Sequence, residues 1–286
     1  MIWIGGKVVS SDELRVSVLD RTFEHGLGLF ETLRTWDRKA PLLDRHMERL
    51  SRAAKELGLP LDPAALPTQA DVESLLDARG EEGDFLLRVT TSGGLNASNR
   101  MHTWMYASPL PPPLRREGAI VDLGSWKVLP EDPLARFKSL NYWGRRLAFE
   151  RAQNLGFDET LGVSGPIGAR VVWEGSRTNL FAVQDGRLTT PAASGPLVPG
   201  VMRRLVLERA AEFPLEVAIE RIVPLTSLLD ADELFLTNSV RGVIPVARLH
   251  DAEGKFEPID WSAPGHWTRT LAIAVRDWVT TQGNAK

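Results

Sequence analysis

Residues 171 to 183 read VVWEGSRTNLFAV, two apolar runs joined by a polar segment that contains a Gly-Ser pair. Valine, tryptophan, phenylalanine and leucine on either side of such a turn predict strand, turn, strand. Glu174 closes the first of these strands. A carboxylate there either stands in solvent at a hairpin tip or is buried and needs a partner. Outward in both directions the same grammar repeats: AIVDLGSW, ETLGVSG, ARVVWEG, NLFAVQDGRLTT, LEVAIERI, ELFLTNS and VIPVARLH all read as short strands punctuated by Gly, Asp and Pro. Helical spacing interrupts them only at about 139–155, 201–213 and 265–281. The pattern predicts a strand-rich α+β domain rather than alternating βαβ units.

Upstream, SPLPPPLRREG (108–118) holds four prolines, which favour extended polyproline geometry. It predicts an interdomain linker over 108–117, a small domain over 1–107 and a larger one over 118–286. The small domain mixes sheet and helix. IWIGGKVV places a Gly-Gly turn between apolar runs, and LFETLRTW (29–36) and FLLRVTT (85–91) read as strands. LLDRHMERLSRAAKELGL (42–59) spaces Leu43, Met47, Leu50, Ala54 and Leu57 at helical intervals before Pro60. Arg49 lies on that helix one turn after His46, either as a solvated arginine or as a fork for a phosphate.

Composition narrows the chemistry. With 286 residues and 43% hydrophobic content the chain can build two cores, and a net charge of −3 gives no electrostatic reason to expect nucleic acid or an anionic membrane. It contains no cysteine, so disulfides, thiolate catalysis and thiolate metal sites are excluded. The opening MIWIGGKVVSSDELR lacks the regions of a signal peptide, and no run of 18 apolar residues occurs, which predicts a cytoplasmic protein. His25, His46, His102, His250 and His266 never fall at metal-ligand spacing, so no metal is expected. FEHGLGLFE is followed by a strand pattern rather than a helix and is no dinucleotide loop, and GVSG around Ser164 lacks the GxSxG frame of a serine hydrolase.

Two further stretches carry chemistry. In RFKSLNYWGRR (136–146), Lys138 is either a surface charge or a reactive amine. In GPLVPGVMRRLVLERAAEF (195–213), Pro and Gly precede an amphipathic helix and leave the amides near Val201 and Met202 open at its start, either to solvent or to an anion.

In order along the chain, FEHGLGLFETLR, HMERL, FKSLNY, WEGSRTNLF, TPAASGPLVPGVMR and ELFLTNSVRGVIPV resemble the class IV aminotransferase family, the fold type IV pyridoxal phosphate enzymes that include branched-chain and D-amino-acid aminotransferases and aminodeoxychorismate lyase. The resemblance implies a small N-terminal α/β domain, a larger C-terminal domain that binds pyridoxal 5'-phosphate, and a homodimer. It implies that Lys138 forms the Schiff base and shuttles protons. Lysine suits this because its amine is a nucleophile whose basicity burial can lower. Glu174 would pair with the pyridine nitrogen. Arg49, the Val201 and Met202 amides and the Ser239 hydroxyl would hold the phosphate, with Val198 against the ring face and Tyr142 at the phenolic oxygen. The proton would move on the cofactor face opposite to that used by commoner aminotransferases, which admits D-amino acids and R-amines as substrates.

The subgroup markers diverge. VPGVMRR places methionine where typical aminotransferases have threonine, as the lyase does, and LTNSVRGVIPV leans the same way. RVTTSGGLNASNRMHTW (88–104) lacks the RGxGGRGY stretch of the lyases, but Arg100 and His102 reproduce the R-x-H spacing with which D-amino-acid enzymes trap a carboxylate. Arg34 and Arg241 are rival carboxylate ligands, and Phe30 occupies a position often held by tyrosine. The expected activity is transamination of a small amino acid or amine with a keto acceptor. The alternative is release of pyruvate and p-aminobenzoate from aminodeoxychorismate.

Overall fold

The structure is a computed structural model and describes residues 1–95, 101–166, 168–251, 254 and 257–284. The chain divides into two compact units, one of Met1–Pro112, Phe137–Tyr142 and Trp278–Lys286, the other of Pro113–Arg136 and Trp143–Asp277.

In the first unit, β1 (Ile2–Ile4) and β2 (Lys7–Val9) form the hairpin whose turn residues Gly5 and Gly6 take φ of 55° and 82°. Helix α1 (Arg21–His25) leads into β3 (Gly28–Arg34), then α2 (Leu43–Glu56), α3 (Gln69–Arg79), β4 (Phe85–Ser92) and β5 (Thr103–Pro109). The five strands form one antiparallel sheet in the order β2-β1-β5-β4-β3. Leu43, Met47, Leu50 and Ala54 of α2 are buried in a core with Leu29, Leu33, Leu87, Val89 and Met105, so the helical stripe covers one face of the sheet. The α3 helix was missed by apolar spacing, although its start carries a capping box between Thr68 and Asp71 and its end a left-handed Gly80.

The second unit contains β6 (Ala119–Lys127), α4 (Trp143–Asn154), β7 (Glu159–Ser164), β8 (Val171–Gly175), β9 (Asn179–Gln184), β10 (Arg187–Pro191) and α5 (Val201–Ala210). These are followed by β11 (Glu216–Arg221), β12 (Val223–Pro224), α6 (Leu225–Leu229), β13 (Glu233–Asn238), β14 (Gly242–Asp251), β15 (Ile259–Asp260) and α7 (His266–Asn284), whose last turns belong to the first unit. Six of the strands, β9-β13-β14-β6-β7-β8, close into a circuit because β8 also pairs with β9. Closure removes two sheet edges and encloses Val121, Leu161, Val163, Leu180, Leu234, Leu236 and Val246.

One helix starts later than its spacing predicts. The 139–155 expectation becomes Trp143–Asn154, because the preceding backbone is used elsewhere. The Lys138 carbonyl accepts from Phe30 N at 2.9 Å, and Leu140 N donates to the Gly28 carbonyl at 3.0 Å. Residues 138–140 therefore run as a short extended partner of β3, a use of backbone that no side-chain pattern announces.

Candidate active site

In the first unit, β3 presents two chemistries on its two faces. Alternation places Phe30 opposite to Leu29, Glu31 and Leu33. Lys138 is half-buried, and its Nζ lies 4.6 Å from the centroid of the Phe30 ring and 5.8 Å from that of Tyr142. Tyr142 meets Phe30 edge-on, with centroids 5.0 Å apart and ring planes at 88°. The Arg88 guanidinium stacks on Phe30 at 3.9 Å, so one aromatic ring carries a primary amine and a guanidinium. Burial holds the Arg88 pKa below the ordinary arginine value, against the attraction of Tyr106 and Tyr142. No carboxylate pairs with Arg88 among the described residues.

On the other face Glu31 is almost wholly buried and accepts from Arg49 Nε at 2.8 Å and Arg49 Nη2 at 2.5 Å, with His46 Nδ1 at 2.8 Å. Burial alone would raise the Glu31 carboxyl, but the Arg49 guanidinium and the His46 ring outweigh it and hold it well below the usual carboxylate range. Burial, helped by Arg49 and Lys138, also lowers the His46 pKa despite Glu31. A neutral His46 then donates from Nδ1, and its Nε2 is buried with no hydrogen-bond partner among the described residues.

The second unit gathers a different set. Glu174 ends β8, 2% exposed, where its Oε1 accepts from Arg145 Nη2 at 2.5 Å and from Val198 N at 3.1 Å, and its Oε2 from Asn179 Nδ2 at 3.3 Å. This is the buried alternative left open by the sequence, not a solvated hairpin tip. The same Asn179 amide donates to the Val198 carbonyl at 2.9 Å. Behind Glu174, the turn of residues 175–178 is tied down by Glu159, which accepts from Ser176 N at 3.1 Å, Ser176 Oγ at 2.5 Å and Thr178 Oγ1 at 3.2 Å. Gly200 opens α5 with no side-chain cap and no acidic residue in the first turn. A Cβ on Gly200 would lie 1.9 Å from Asn179 Oδ1, so only glycine lets the helix start approach this closely. Val201 and Met202, both buried, are its first two residues. Ser239 sits in the tight β13–β14 connection, which is shaped by Asn238 Oδ1 accepting from Val240 N at 3.0 Å and Arg241 N at 2.8 Å. Burial lowers the Arg241 pKa, partly offset by Asp158.

The substrate-side expectations separate. Phe30 and Tyr142 lie with Lys138. Arg34 is four residues along β3 from Phe30, and its Nη2 pairs with Asp84 at 3.1 Å while it stacks on Trp36 at 4.0 Å, a structural engagement. His102 is held at the Ser92 end of β4, where its N donates to Ser92 Oγ at 3.1 Å, and Gly28 pairs with Ser92 across β3. Arg100 lies outside the described residues. Glu31, Arg88, Arg145, Asn179 and Glu159 were not singled out from sequence. For Glu31 the signal was present: in LFETL it shares a face with Leu29 and Leu33, and an acid on a core face demands a cation.

Among the described residues no group of three or more His, Cys, Asp or Glu is placed to hold a metal, and no helix is long and apolar enough to cross a membrane. Residues 28–249 match the model of the amino-transferase class IV family. A putative branched-chain-amino-acid aminotransferase of Methanocaldococcus jannaschii is 32% identical over 253 residues, covering 86% of both chains. The aminodeoxychorismate lyase of Bacillus subtilis is 28% identical over 262 residues, covering 88% of this chain and 87% of its own. The 4-amino-4-deoxychorismate lyase structure from Pseudomonas aeruginosa superposes with a TM-score of 0.79 at 31% identity, over 98% of this chain and 100% of the other. The fold is that of the fold type IV enzymes, α+β with a strand-rich larger part. Two units carrying an amine on an aromatic platform and a buried carboxylate beside an open helix start, together with a family match across most of the sequence, make this chain a member of the class IV aminotransferase family.

Proposed function

We propose that the chain is a pyridoxal phosphate-dependent aminotransferase for a small amino acid or amine, with Lys138 as the amine that anchors the cofactor. The observation that carries this reading is Lys138 Nζ and the Arg88 guanidinium on the same Phe30 ring, 4.6 Å and 3.9 Å from its centroid. An amino-acid substrate needs both a primary amine that can exchange with its own and a cation for its carboxylate.

The residues fit the cofactor. Uncapped amides of Val201 and Met202 at the α5 start suit a phosphate, as do the Arg49 fork and the Ser239 hydroxyl. Glu174 offers a carboxylate for a protonated pyridine nitrogen, with Val198 beside it and Arg145 and Asn179 fixing its plane. Tyr142 would meet the phenolic oxygen. When bound, the cofactor ring supplies an electron sink for the charge that develops at substrate Cα. Lys138 Nζ takes the Cα proton and returns it, and the edge-on Phe30 and Tyr142 rings flank that amine. Arg88 receives the substrate carboxylate, ahead of His102 and Arg241. Substrates are then a small amino donor and a keto acceptor, and the working unit is a homodimer.

A second reading is favoured by Met202 in the threonine position and by the two lyase relatives: elimination of pyruvate from aminodeoxychorismate. Protein loaded with pyridoxal phosphate should absorb in the visible, and borohydride should fix the cofactor to Lys138; a Lys138→Ala variant that still becomes covalently labelled sinks the assignment. Stoichiometric conversion of the bound pyridoxal to the pyridoxamine form by an amino donor decides for transamination. Pyruvate and an aromatic amine without that conversion decide for the lyase.

A further inference from the structure

The Arg49 guanidinium does not choose its own orientation. Its Nε and Nη2 edge is taken up by a two-point ion pair with Glu31, at 2.8 Å to Oε1 and 2.5 Å to Oε2. Glu31 Oε2 is at the same time 2.8 Å from His46 Nδ1, so the carboxylate is pinned on both sides and cannot turn about its own axis without breaking one bond. All three belong to the first unit, with Glu31 on β3 and His46 and Arg49 one turn apart on α2. Glu31 and His46 are wholly or almost wholly buried, 1% and 0% exposed, while the Arg49 side chain retains 11%. An ion pair this dry is costly to assemble and confers little net stability, so what it supplies is orientation.

We infer that Glu31 is a positioning residue for the cofactor's phosphate: it clamps the Nε and Nη2 edge of Arg49 and so fixes the plane of the guanidinium, with His46 locking the carboxylate. This rests on the reading that Arg49 binds phosphate. The clamp also cancels the Arg49 charge locally, so phosphate recognition depends on the direction of the donors rather than on bulk positive charge. The buried His46 stays neutral beside two cations, in keeping with a role as a hydrogen-bond donor to Glu31.

The test compares two ligands on the apoprotein, pyridoxal phosphate and pyridoxal, which differ only in the phosphate. Binding of each is followed by its absorption change for the native chain, Glu31→Gln, Glu31→Asp and Arg49→Lys. Glu31→Gln and Glu31→Asp should lower the preference for pyridoxal phosphate over pyridoxal by about tenfold or more, with pyridoxal affinity unchanged. A general loosening of the fold would weaken both ligands together and leave the ratio where it was. A ratio within about twofold of the native one in both Glu31 variants, with Arg49→Lys reducing it, overturns the positioning role. If Arg49→Lys also leaves the ratio unchanged, the phosphate reading of Arg49 fails instead.

Discussion

A carboxylate as buried as Glu31 and an imidazole as buried as His46 link protonation to folding. Burial opposes the charge on Glu31, yet Arg49 and His46 bring its folded pKa below the ordinary 4.5; burial brings that of His46 below 6.5. Both values are depressed, so in each window the unfolded chain binds the proton that the folded chain refuses, and stability falls as pH falls. The His46 contribution is complete above pH 6.5 and declines below it; that of Glu31 declines below pH 4.5. Each group steepens the decline by up to about 1.4 kcal/mol per pH unit. Urea unfolding of the apoprotein at pH 7.5, 6 and 5 should show His46→Asn losing less stability across this range than the native chain; parallel curves would show that His46 titrates normally. The residue pattern LFETL puts an acid on a core face and so calls for a cation, but it does not say which element supplies one or that one carboxylate serves two partners, because that depends on the angle at which the helix crosses the strand.

At the scale of elements, the decisive contact is between β3 and the extended residues 138–140. Gly28 makes it possible. Its φ is 134°, and an added Cβ would sit 2.6 Å from both the Thr91 carbonyl oxygen and Leu140 Cδ1. Gly28→Ala should cost roughly 2 kcal/mol or more, through a strained backbone and an overpacked contact. It should also reduce the fraction of chains that borohydride can label, because the displaced atom belongs to the segment carrying Lys138. Equal labelling and an unchanged urea midpoint would show that Leu140 and Thr91 simply yield. Here the sequence was half legible. Strand and helix periodicity located β3, β4, α2 and α5 to within a few residues, since a buried face writes itself into side chains. The pairing of 138–140 was invisible because it is made by backbone groups alone, and the helix expectation from residue 139 took those residues for the first turn of α4.

For the whole molecule, the six-strand circuit was equally unreadable. Each of its strands announces itself by composition, but which strands become neighbours depends on pairings such as β14 with β6 and β13 with β9, between stretches far apart in sequence. The family resemblance supplied what local patterns could not, since ordered motifs carry the topology along with them. The partners of Glu174 show the same limit: Arg145, Asn179 and Val198 come from three separate stretches, and only Asn179 lies in the quoted WEGSRTNLF motif. In the first unit Val18, Leu19 and Phe23 are 80%, 65% and 65% exposed, a cluster of bare apolar side chains along one short stretch. If the chain works as a homodimer, light scattering should return twice the chain mass, and Phe23→Glu should shift that mass toward one chain; a native protein that stays monomeric at micromolar concentration contradicts the dimer.

The six residues Phe137–Tyr142 count with the first unit although the chain on both sides of them counts with the second. That arrangement constrains recombination between relatives. A chimera joined at the polyproline stretch would take β3 from one parent and the lysine segment from the other. The hydrogen bonds between Phe30 and Lys138 and between Leu140 and Gly28 would then have to form between strangers. Inheritance of residues 137–142 together with residues 1–112, as a single block, is what would let a swapped half keep its lysine in register.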